Sequence, residues 1–242
     1  MEKLFEIIHE DAELLVINKP AGLVCHPTKG DVYSSLISRV RLHLGDAISP
    51  QMINRLDRET SGVMLIAKQD GAARELRRFW ETRNVHKEYL AIVHGHVRVD
   101  QGLIDAPLGR DENSGVAIKD CVRPDGAPSQ TEFQVQRRFW RSKAAFTLLR
   151  ILPRTGRKHQ IRIHLADIGH PIVGDKLYSG DENLYLDFAK GRLTEEQRRR
   201  LILPNQALHA RAVRFVWRDQ DWTYQAEPED WFVEFAGNSH GG

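Results

Sequence analysis

The chain has 242 residues, of which 41% are hydrophobic and 28% are charged. This composition predicts a globular protein with a substantial core and excludes a disordered chain. The length suits one large domain or two closely fused halves. No stretch approaches the roughly 20 apolar residues that a membrane-spanning helix needs.

The cysteines and the N-terminus indicate the cellular compartment. Cys25 and Cys121 are the only cysteines in the sequence, too few and too isolated for a disulfide framework or a zinc site. The first residues, M-E-K, are charged and lack the apolar run of a signal peptide. We therefore expect a cytoplasmic protein without a membrane anchor.

Charge is distributed unevenly along the chain, although the formal net charge is only +2. Residues 137–166 hold nine Lys or Arg and no acid, whereas residues 219–234 hold six acids and no base. This segregation predicts one face that meets phosphate groups and another that does not. The alternative is a solvated charge run, which we prefer for any single arginine of the set.

In the first part of the chain, hydrophobic periodicity and turn residues predict short alternating elements. Strands are expected at residues 4–8, 14–17, 63–67 and 87–93, and helices at residues 34–44 and 71–81. Asp70 is expected to cap the second helix. Its buried stripe would comprise Ala72, Leu76, Phe79 and Trp80.

The rest of the chain is predicted to contain more strand than helix. Residues 102–129 are rich in Gly, Pro and Asp and predict loops with short strands. Strands are expected at residues 131–139 and 144–152, which would form a hairpin, and at residues 208–217 and 222–225. A helix should begin near His159, and residues 194–203 predict a charged helix or linker with a capping signal at Thr194.

Strands and helices are mixed without the regular alternation of a doubly wound sheet, which predicts the α+β class. We expect one domain over residues 1–236 and a flexible tail at residues 237–242. Trp80, Trp140 and Trp217 are expected in the core.

Two stretches contain the residues best suited to chemistry. Residues 54–62 read N-R-L-D-R-E-T-S-G, with the single aspartate Asp57, and residues 154–162 read R-T-G-R-K-H-Q-I-R. A carboxylate in a water-poor pocket needs a cation to stay ionised, and an arginine remains protonated there. We take Arg162 as the partner of Asp57. The alternative, from these residues alone, is a buried structural salt bridge.

These stretches resemble motifs of the RluA-type pseudouridine synthases. The family's first motif, H-R-L-D-x-x-T-S-G, places Asp57 at the position of the essential aspartate. K-E-Y-L-A at residues 87–91 resembles the second motif, and Arg162 ends the third, R-T-G-R-x-H-Q-I-R. Similarity also covers residues 18–22, 169–175 and 208–210, and so nearly the whole chain.

The resemblance implies a role for each site residue. Asp57 would be catalytic, Tyr89 would pack against the uracil and assist removal of the proton at carbon 5, and Arg162 would pair with Asp57. Arg55 would enter the RNA helix where the target base has flipped out, an extrusion that costs on the order of a few kcal/mol. Whether Asp57 bonds to the sugar or to the base is left open.

The positions of two further cations are less informative. Arg157 and Lys158 would contact phosphate or the surroundings of Asp57. A plain surface role is an equally open interpretation for both side chains.

The implied reaction converts uridine to pseudouridine in a structured RNA, either a tRNA or an rRNA stem-loop. It cleaves a carbon–nitrogen bond and joins carbon 5 to the sugar without a redox step, so we expect no cofactor. We expect no metal either, because no third ligand accompanies His159 and His164. The implied fold is a central, mostly antiparallel sheet in two halves, with flanking helices and a cleft between the halves. We expect a monomer without an obligate protein partner.

The chain departs from the family in two respects. Asn54 stands where the family usually has histidine. Asparagine keeps a hydrogen-bonding side chain but does not titrate, so we expect a structural role there. Many relatives also begin with a small RNA-binding module, whereas we expect this chain to start directly with the catalytic domain. Substrate choice is then expected to come from that domain.

Two rival functions use the same residues. A cofactor-free enzyme that hydrolyses a glycosidic bond would release free base. A non-catalytic RNA-binding or folding factor would use the same basic face. The latter has no need for a desolvated carboxylate, which is why Asp57, Tyr89 and Arg162 favour an enzyme.

Overall fold

The structure, a computed structural model, describes residues 5–27, 35–45 and 47–237. The chain divides into two compact units, the first holding Met1–Glu88 and His209–Gly242 and the second holding Tyr89–Leu208. It passes from one unit to the other within two strands, β5 (Val85–His94) and β11 (Leu208–Trp217). Apart from Gly237, the predicted tail lies outside the described residues.

The first unit contains most of β11 and the following elements: β1 (Glu6–Glu10), β2 (Leu14–Lys19), α1 (Leu36–Leu44), β3 (Gln51–Met52), β4 (Ser61–Ala67), α2 (Asp70–Glu81), β12 (Gln220–Gln225) and α6 (Asp230–Ala236). Its strands run in the order β1-β2-β4-β11, with β12 paired to β11 and β3 paired to β4. The pairing of β4 with β11 is parallel, and the other pairings in this unit are antiparallel.

Strand β4 is the centre of the first unit. All seven of its residues are buried, as the apolar run at residues 63–67 predicts. Helix α2 packs on this core through Ala72, Ala73 and Leu76, while its arginines face away. The buried side chains of the helix recur at a spacing of three to four residues, which is why the sequence pattern predicts it.

The second unit contains most of β5 and the following elements: β6 (Gln101–Asp105), β7 (Leu108–Arg110), β8 (Asp120–Val122), β9 (Gln130–Arg141), β10 (Ala144–Pro153), α3 (Gln160–Asp167), α4 (Glu182–Ala189) and α5 (Glu195–Leu201). Its main strands follow the order β5-β10-β9-β6 with antiparallel pairing. Strands β7 and β8 pair separately.

The predicted hairpin is confirmed as β9 and β10. Ser142 and Lys143 join the strands with φ angles of 49° and 67°, and the register closes with Arg141 opposite Ala144. Positive φ at both central residues matches the right-handed twist of the strands that they connect. Each unit therefore combines helices with a mostly antiparallel sheet, and the α+β prediction is confirmed.

Helix ends show where local signals succeed and fail. Helix α5 begins with the predicted capping box between Thr194 and Gln197. By contrast, Asp70 is not the cap of α2. The N-cap is Gln69, which makes no side-chain cap bond, and Asp70 occupies the first turn. The carboxyl group of Asp70 instead accepts a hydrogen bond from the Gln51 side chain.

The first strand and one tryptophan also differ from prediction. Strand β1 covers Glu6–Glu10 and so ends two residues later than expected, because the turn that follows it is fixed by the carboxylate of Asp11, which accepts the backbone N–H groups of Glu13 and Leu14. Trp217 is buried, but Trp140 is 68% exposed, so its predicted place in the core is wrong. Trp140 lies beside the hairpin turn and contacts His96 edge-on.

Helices α4 and α6 are additional to the elements that the sequence predicts. No helix in the part of the chain that the structure describes is long and apolar enough to cross a membrane.

Candidate active site

Asp57 lies half-buried on the turn between β3 and β4. The N–H of Thr60 donates to its carbonyl at 3.2 Å, which closes the turn. The carbonyl groups on either side of Asp57 are also held: the Cys25 thiol contacts the Leu56 oxygen at 3.2 Å, and the Lys19 ammonium donates to the Arg58 oxygen at 3.1 Å. The backbone that carries Asp57 is therefore anchored on both sides.

Lys19 is fully buried, which is unusual for a lysine. Its Nζ donates to the carbonyl oxygens of Pro20, Leu23 and Arg58 at 2.9, 2.9 and 3.1 Å. Three acceptors thus match the three donors of an ammonium group. Burial lowers the pKa of Lys19 to about 8, and the negative charges of nearby groups, Asp57 among them, oppose that effect.

Asn54 connects the same turn to strand β4. Its side-chain oxygen accepts the N–H of Leu65 at 2.8 Å, and its Nδ2 donates to the Val63 carbonyl at 3.2 Å. Both bonds are made to backbone groups, which agrees with the structural role expected where the family usually has histidine.

The end of the turn fits closely against β11. Gly62 has a φ of 115°, and a Cβ added there would lie 2.2 Å from the Ala210 carbonyl oxygen. Beside it, the Ser61 hydroxyl contacts Nδ1 of the buried His209 at 2.9 Å, while Nε2 of His209 donates to the Ala226 carbonyl. Burial lowers the pKa of His209, so the neutral imidazole is favoured. The small residues of the motif are therefore required by this close approach.

Arg55 lies on the same turn, two residues before Asp57, and its side chain is exposed. The remaining predicted site residues belong to the second unit. Tyr89 is half-buried on β5, opposite Ile151 of β10. Arg162 lies in α3 with 7% of its surface exposed.

Arg162 is held by a carboxylate of its own unit. Its Nε and Nη2 donate to the two oxygens of Asp175 at 2.6 and 2.9 Å. Asp175 also accepts the N–H groups of Leu177 and Tyr178. Burial raises the pKa of the Asp175 carboxyl group, but Arg162 and these hydrogen bonds outweigh it and hold the pKa below its usual value. The result is an ionised, bidentate pair that fixes the plane of the guanidinium.

The segment before α3 orients the third motif. The buried side chain of Gln160 accepts from the Thr155 hydroxyl and the Arg157 N–H, and it donates to Gln130 and Thr131. Its four hydrogen bonds lock the tight loop that precedes the helix.

The side chains of Arg157 and Lys158 are exposed on this loop. The ammonium of Lys158 forms an ion pair with Asp120 at 3.0 Å. The two cations therefore face solvent, and Lys158 has a carboxylate partner.

The structure thus brings together Asp57 and Arg55 on one turn, and Arg157, Lys158 and Arg162 on one loop and helix. The pairing of Asp57 with Arg162 joins residues of different units and stays a prediction. Sequence reasoning overlooked Lys19, Cys25 and Asp175 as supports of the site. For Lys19 and Asp175 the available signal was their position in Gly- and Pro-containing stretches that also resemble the family, whereas Cys25 lies outside those stretches.

Three comparisons bear on this site. A family model described as RNA pseudouridylate synthase matches residues 13–167. An uncharacterized RNA pseudouridine synthase of Aquifex aeolicus is 40% identical over 178 residues, or 71% of this chain and 55% of that protein. The dual-specificity RNA pseudouridine synthase RluA of Vibrio vulnificus is 42% identical over 176 residues, or 72% of this chain and 69% of that protein. The matched part thus spans little more than half of the Aquifex protein's length.

Solved structures agree with the sequence matches. The chain superposes on human RNA pseudouridylate synthase domain containing 1 with a TM-score of 0.74 and 25% identity, covering 93% of this chain and 83% of that one.

Proposed function

Because the chain belongs to the RNA pseudouridylate synthase family, and within it to the RluA type, we propose that it isomerises uridine to pseudouridine in RNA. The observation that carries the proposal is the anchored turn of the first motif. Asp57 is presented there half-buried, between two carbonyl groups bound by Cys25 and Lys19. A carboxylate on such a constrained backbone is suited to a reaction that requires the carboxylate to stay in one fixed position.

The reaction needs one carboxylate and no external reactant. The bond between the sugar and nitrogen 1 breaks, the uracil turns, and carbon 5 bonds to the same sugar carbon. Carbon 5 then loses its proton, and nitrogen 1 carries a proton in the product, so atoms and charge balance. We assign Asp57 to the first step, as nucleophile or as base.

Tyr89 and Arg162 are the proposed partners of Asp57. The guanidinium of Arg162 is already oriented, because Asp175 accepts hydrogen bonds from two of its nitrogens and so fixes its plane. Tyr89 is half-buried, with a ring suited to packing against uracil, and base–aromatic stacking contributes about 1–3 kcal/mol.

The proposed RNA contacts are Arg55, Arg157 and Lys158. Exposure makes Arg55 available as a wedge in the RNA stack once the uridine has flipped out. Arg157 is suited to a phosphate contact, whereas Lys158 would first exchange its carboxylate partner Asp120 for phosphate.

The substrate class is a structured RNA, and we propose a tRNA or rRNA stem-loop bound by a monomer. The proposed location is the cytoplasm, which suits the free thiols of Cys25 and Cys121.

The test is conversion of uridine in total cellular RNA incubated with the purified chain. Pseudouridine is mapped by carbodiimide-dependent stops of reverse transcription. Relative to RNA incubated without protein, we expect new stops with the wild type and with Asp167→Asn, a matched change at an exposed aspartate, and no new stops with Asp57→Asn. RNA affinity should stay within about twofold in both variants, since binding is dominated by phosphate contacts.

Retained turnover in Asp57→Asn would overturn the role of Asp57. Free uracil instead of pseudouridine would indicate hydrolysis. RNA binding by the wild type without any conversion would indicate a non-catalytic binding factor.

A further inference from the structure

The first unit contains a cavity of about 330 Å³ beside the turn of Asp57. Its walls come from separate stretches of the chain: the loop at His26, helix α1, the segment around β3, Arg55 and helix α2. The volume lies at the lower end of the roughly 300–1,000 Å³ of small-molecule sites. The cavity is therefore large enough for a nucleotide-sized group.

Cations from distant positions in the sequence converge on this cavity. Arg41 of α1, Arg55 of the motif turn and Arg77 of α2 line it together with His26. No Asp or Glu is among the described residues that line it. Arginine stays protonated in proteins, so three positive charges face one space.

Such convergence is not explained by the stability of the fold. Like charges brought together repel one another, and an exposed arginine gains little from its neighbours. The side chains of Arg41, Arg55 and Arg77 are all exposed, so they do not fill the core. A concave cluster of one sign attracts ions of the opposite sign, which points to an anionic ligand.

Apart from Gln51, whose side chain donates to Asp70, the rest of the lining is apolar and favours a ligand that also has an uncharged part. Ile37 is one helical turn before Arg41 on the same face of α1 and is only 5% exposed. Met52 of β3 lines the cavity beside it, together with Pro27 and Pro50. An apolar surface next to guanidinium groups fits a ribose carrying a phosphate better than it fits an isolated inorganic ion.

We infer that this cavity binds a ribose-phosphate unit of the RNA backbone next to the uridine on which Asp57 acts. The inference rests on the proposed function and adds a binding site with Arg41 and Arg77 as its new members. Arg55 connects the two sites, because it lines the cavity and lies two residues before Asp57. Bound backbone would thereby orient the strand at the turn that carries Asp57.

The test measures binding of a fluorescein-labelled RNA stem-loop with uridine in its loop, over a series of KCl concentrations. Arg41→Gln and Arg77→Gln are compared with the wild type and with Arg78→Gln. Arg78 is the matched control, because it follows Arg77 on α2, is exposed, and is turned about 100° away around the helix. Unchanged melting temperatures establish that each variant is folded.

We expect each cavity variant to weaken binding about tenfold and to lower the slope of log affinity against log salt by about 0.7–1. Arg78→Gln should stay within about twofold of the wild type. Equal affinities and slopes in the cavity variants and the wild type would overturn the inference, and so would an equal loss in Arg78→Gln.

A second arm separates RNA backbone from a free nucleotide. UMP is titrated against the bound stem-loop. UMP that binds the wild type but not Arg77→Gln, and that leaves the stem-loop bound, would assign the cavity to a free nucleotide and overturn the RNA assignment. Release of the stem-loop from the wild type by UMP, or no binding of UMP, supports it. Conversion of uridine is measured separately. If the wild type isomerises RNA while the cavity variants bind the stem-loop as tightly as the wild type does, only this inference is refuted.

Discussion

The ammonium group of Lys19 donates a hydrogen bond of 3.1 Å to the carbonyl oxygen of Arg58, the residue that follows Asp57. Lys19 ends strand β2 and is fully buried, so this bond joins the sheet to the motif turn from inside the protein. A buried ammonium with three carbonyl acceptors is costly to remove, since each oxygen left without a partner costs about 1–3 kcal/mol. Lys19 is therefore a positioning residue for Asp57.

Activity is expected to fall as pH rises through about 8, the lowered pKa of Lys19. Below that pH the ammonium supplies three donors for the three carbonyl groups. Above it the neutral amine supplies only two donors, so one carbonyl loses its partner and the turn loosens. Single-turnover rates of pseudouridine formation from about pH 6.5 to about pH 9.5 measure this effect.

Lys19→Met should lower the rate at every pH, abolish the decline near pH 8 and reduce the free energy of unfolding by about 2 kcal/mol or more. RNA affinity should hold, because the residue is buried. Lys190→Met, at an exposed lysine, serves as the control and should keep the wild-type profile. The same decline near pH 8 in Lys19→Met would rule out this role for Lys19.

Asp175→Asn is expected to cost about 3–5 kcal/mol of stability, because it leaves the buried cation of Arg162 without its carboxylate. The activity should be lost as well, since the guanidinium is no longer fixed in its plane. Urea unfolding and single-turnover kinetics measure the two effects.

The double variant Arg162→Met/Asp175→Asn distinguishes stability from catalysis. It removes the buried cation together with its carboxylate, while an amide oxygen at position 175 can still accept the N–H groups of Leu177 and Tyr178. No buried charge is then left unpaired, so the double variant should recover much of the stability lost in Asp175→Asn. It should nevertheless remain inactive. Recovery of activity together with stability would show that Arg162 serves the fold alone.

Gly62→Ala is expected to destabilise the protein by about 3 kcal/mol or more, from backbone strain together with steric overlap. The φ of 115° disfavours any side chain, and the new Cβ would lie 2.2 Å from the Ala210 carbonyl oxygen. The matched change is Gly71→Ala in α2, where nothing lies within 4 Å of the new atom.

Gly71→Ala should stabilise by about 0.5–1 kcal/mol, because alanine loses less entropy in a helix. Melting temperatures and urea unfolding of both variants measure the contrast. A Gly62→Ala variant as stable as the wild type would mean that β4 and β11 do not approach as closely as described.

Short sequence patterns correctly predicted the helices and strands that depend on short-range interactions. The apolar run of β4, the hairpin of β9 and β10 and the capping box at Thr194 depend on neighbours a few residues away. The error at Trp140 has the opposite cause. Its ring looks like a core residue in the sequence, but Trp140 lies next to the turn of the hairpin, where 68% of it is exposed.

The amino-acid sequence by itself determined the α+β class, most of the elements and the family, because periodicity, turn residues and motif spacing are all encoded along the chain. Only the tertiary structure decided that Lys19 and Cys25 anchor the turn of Asp57, that Asp175 holds Arg162, and that distant arginines share one cavity. Those relationships join positions far apart in sequence. No local pattern specifies them, since buried polar groups find partners only when the whole unit has folded.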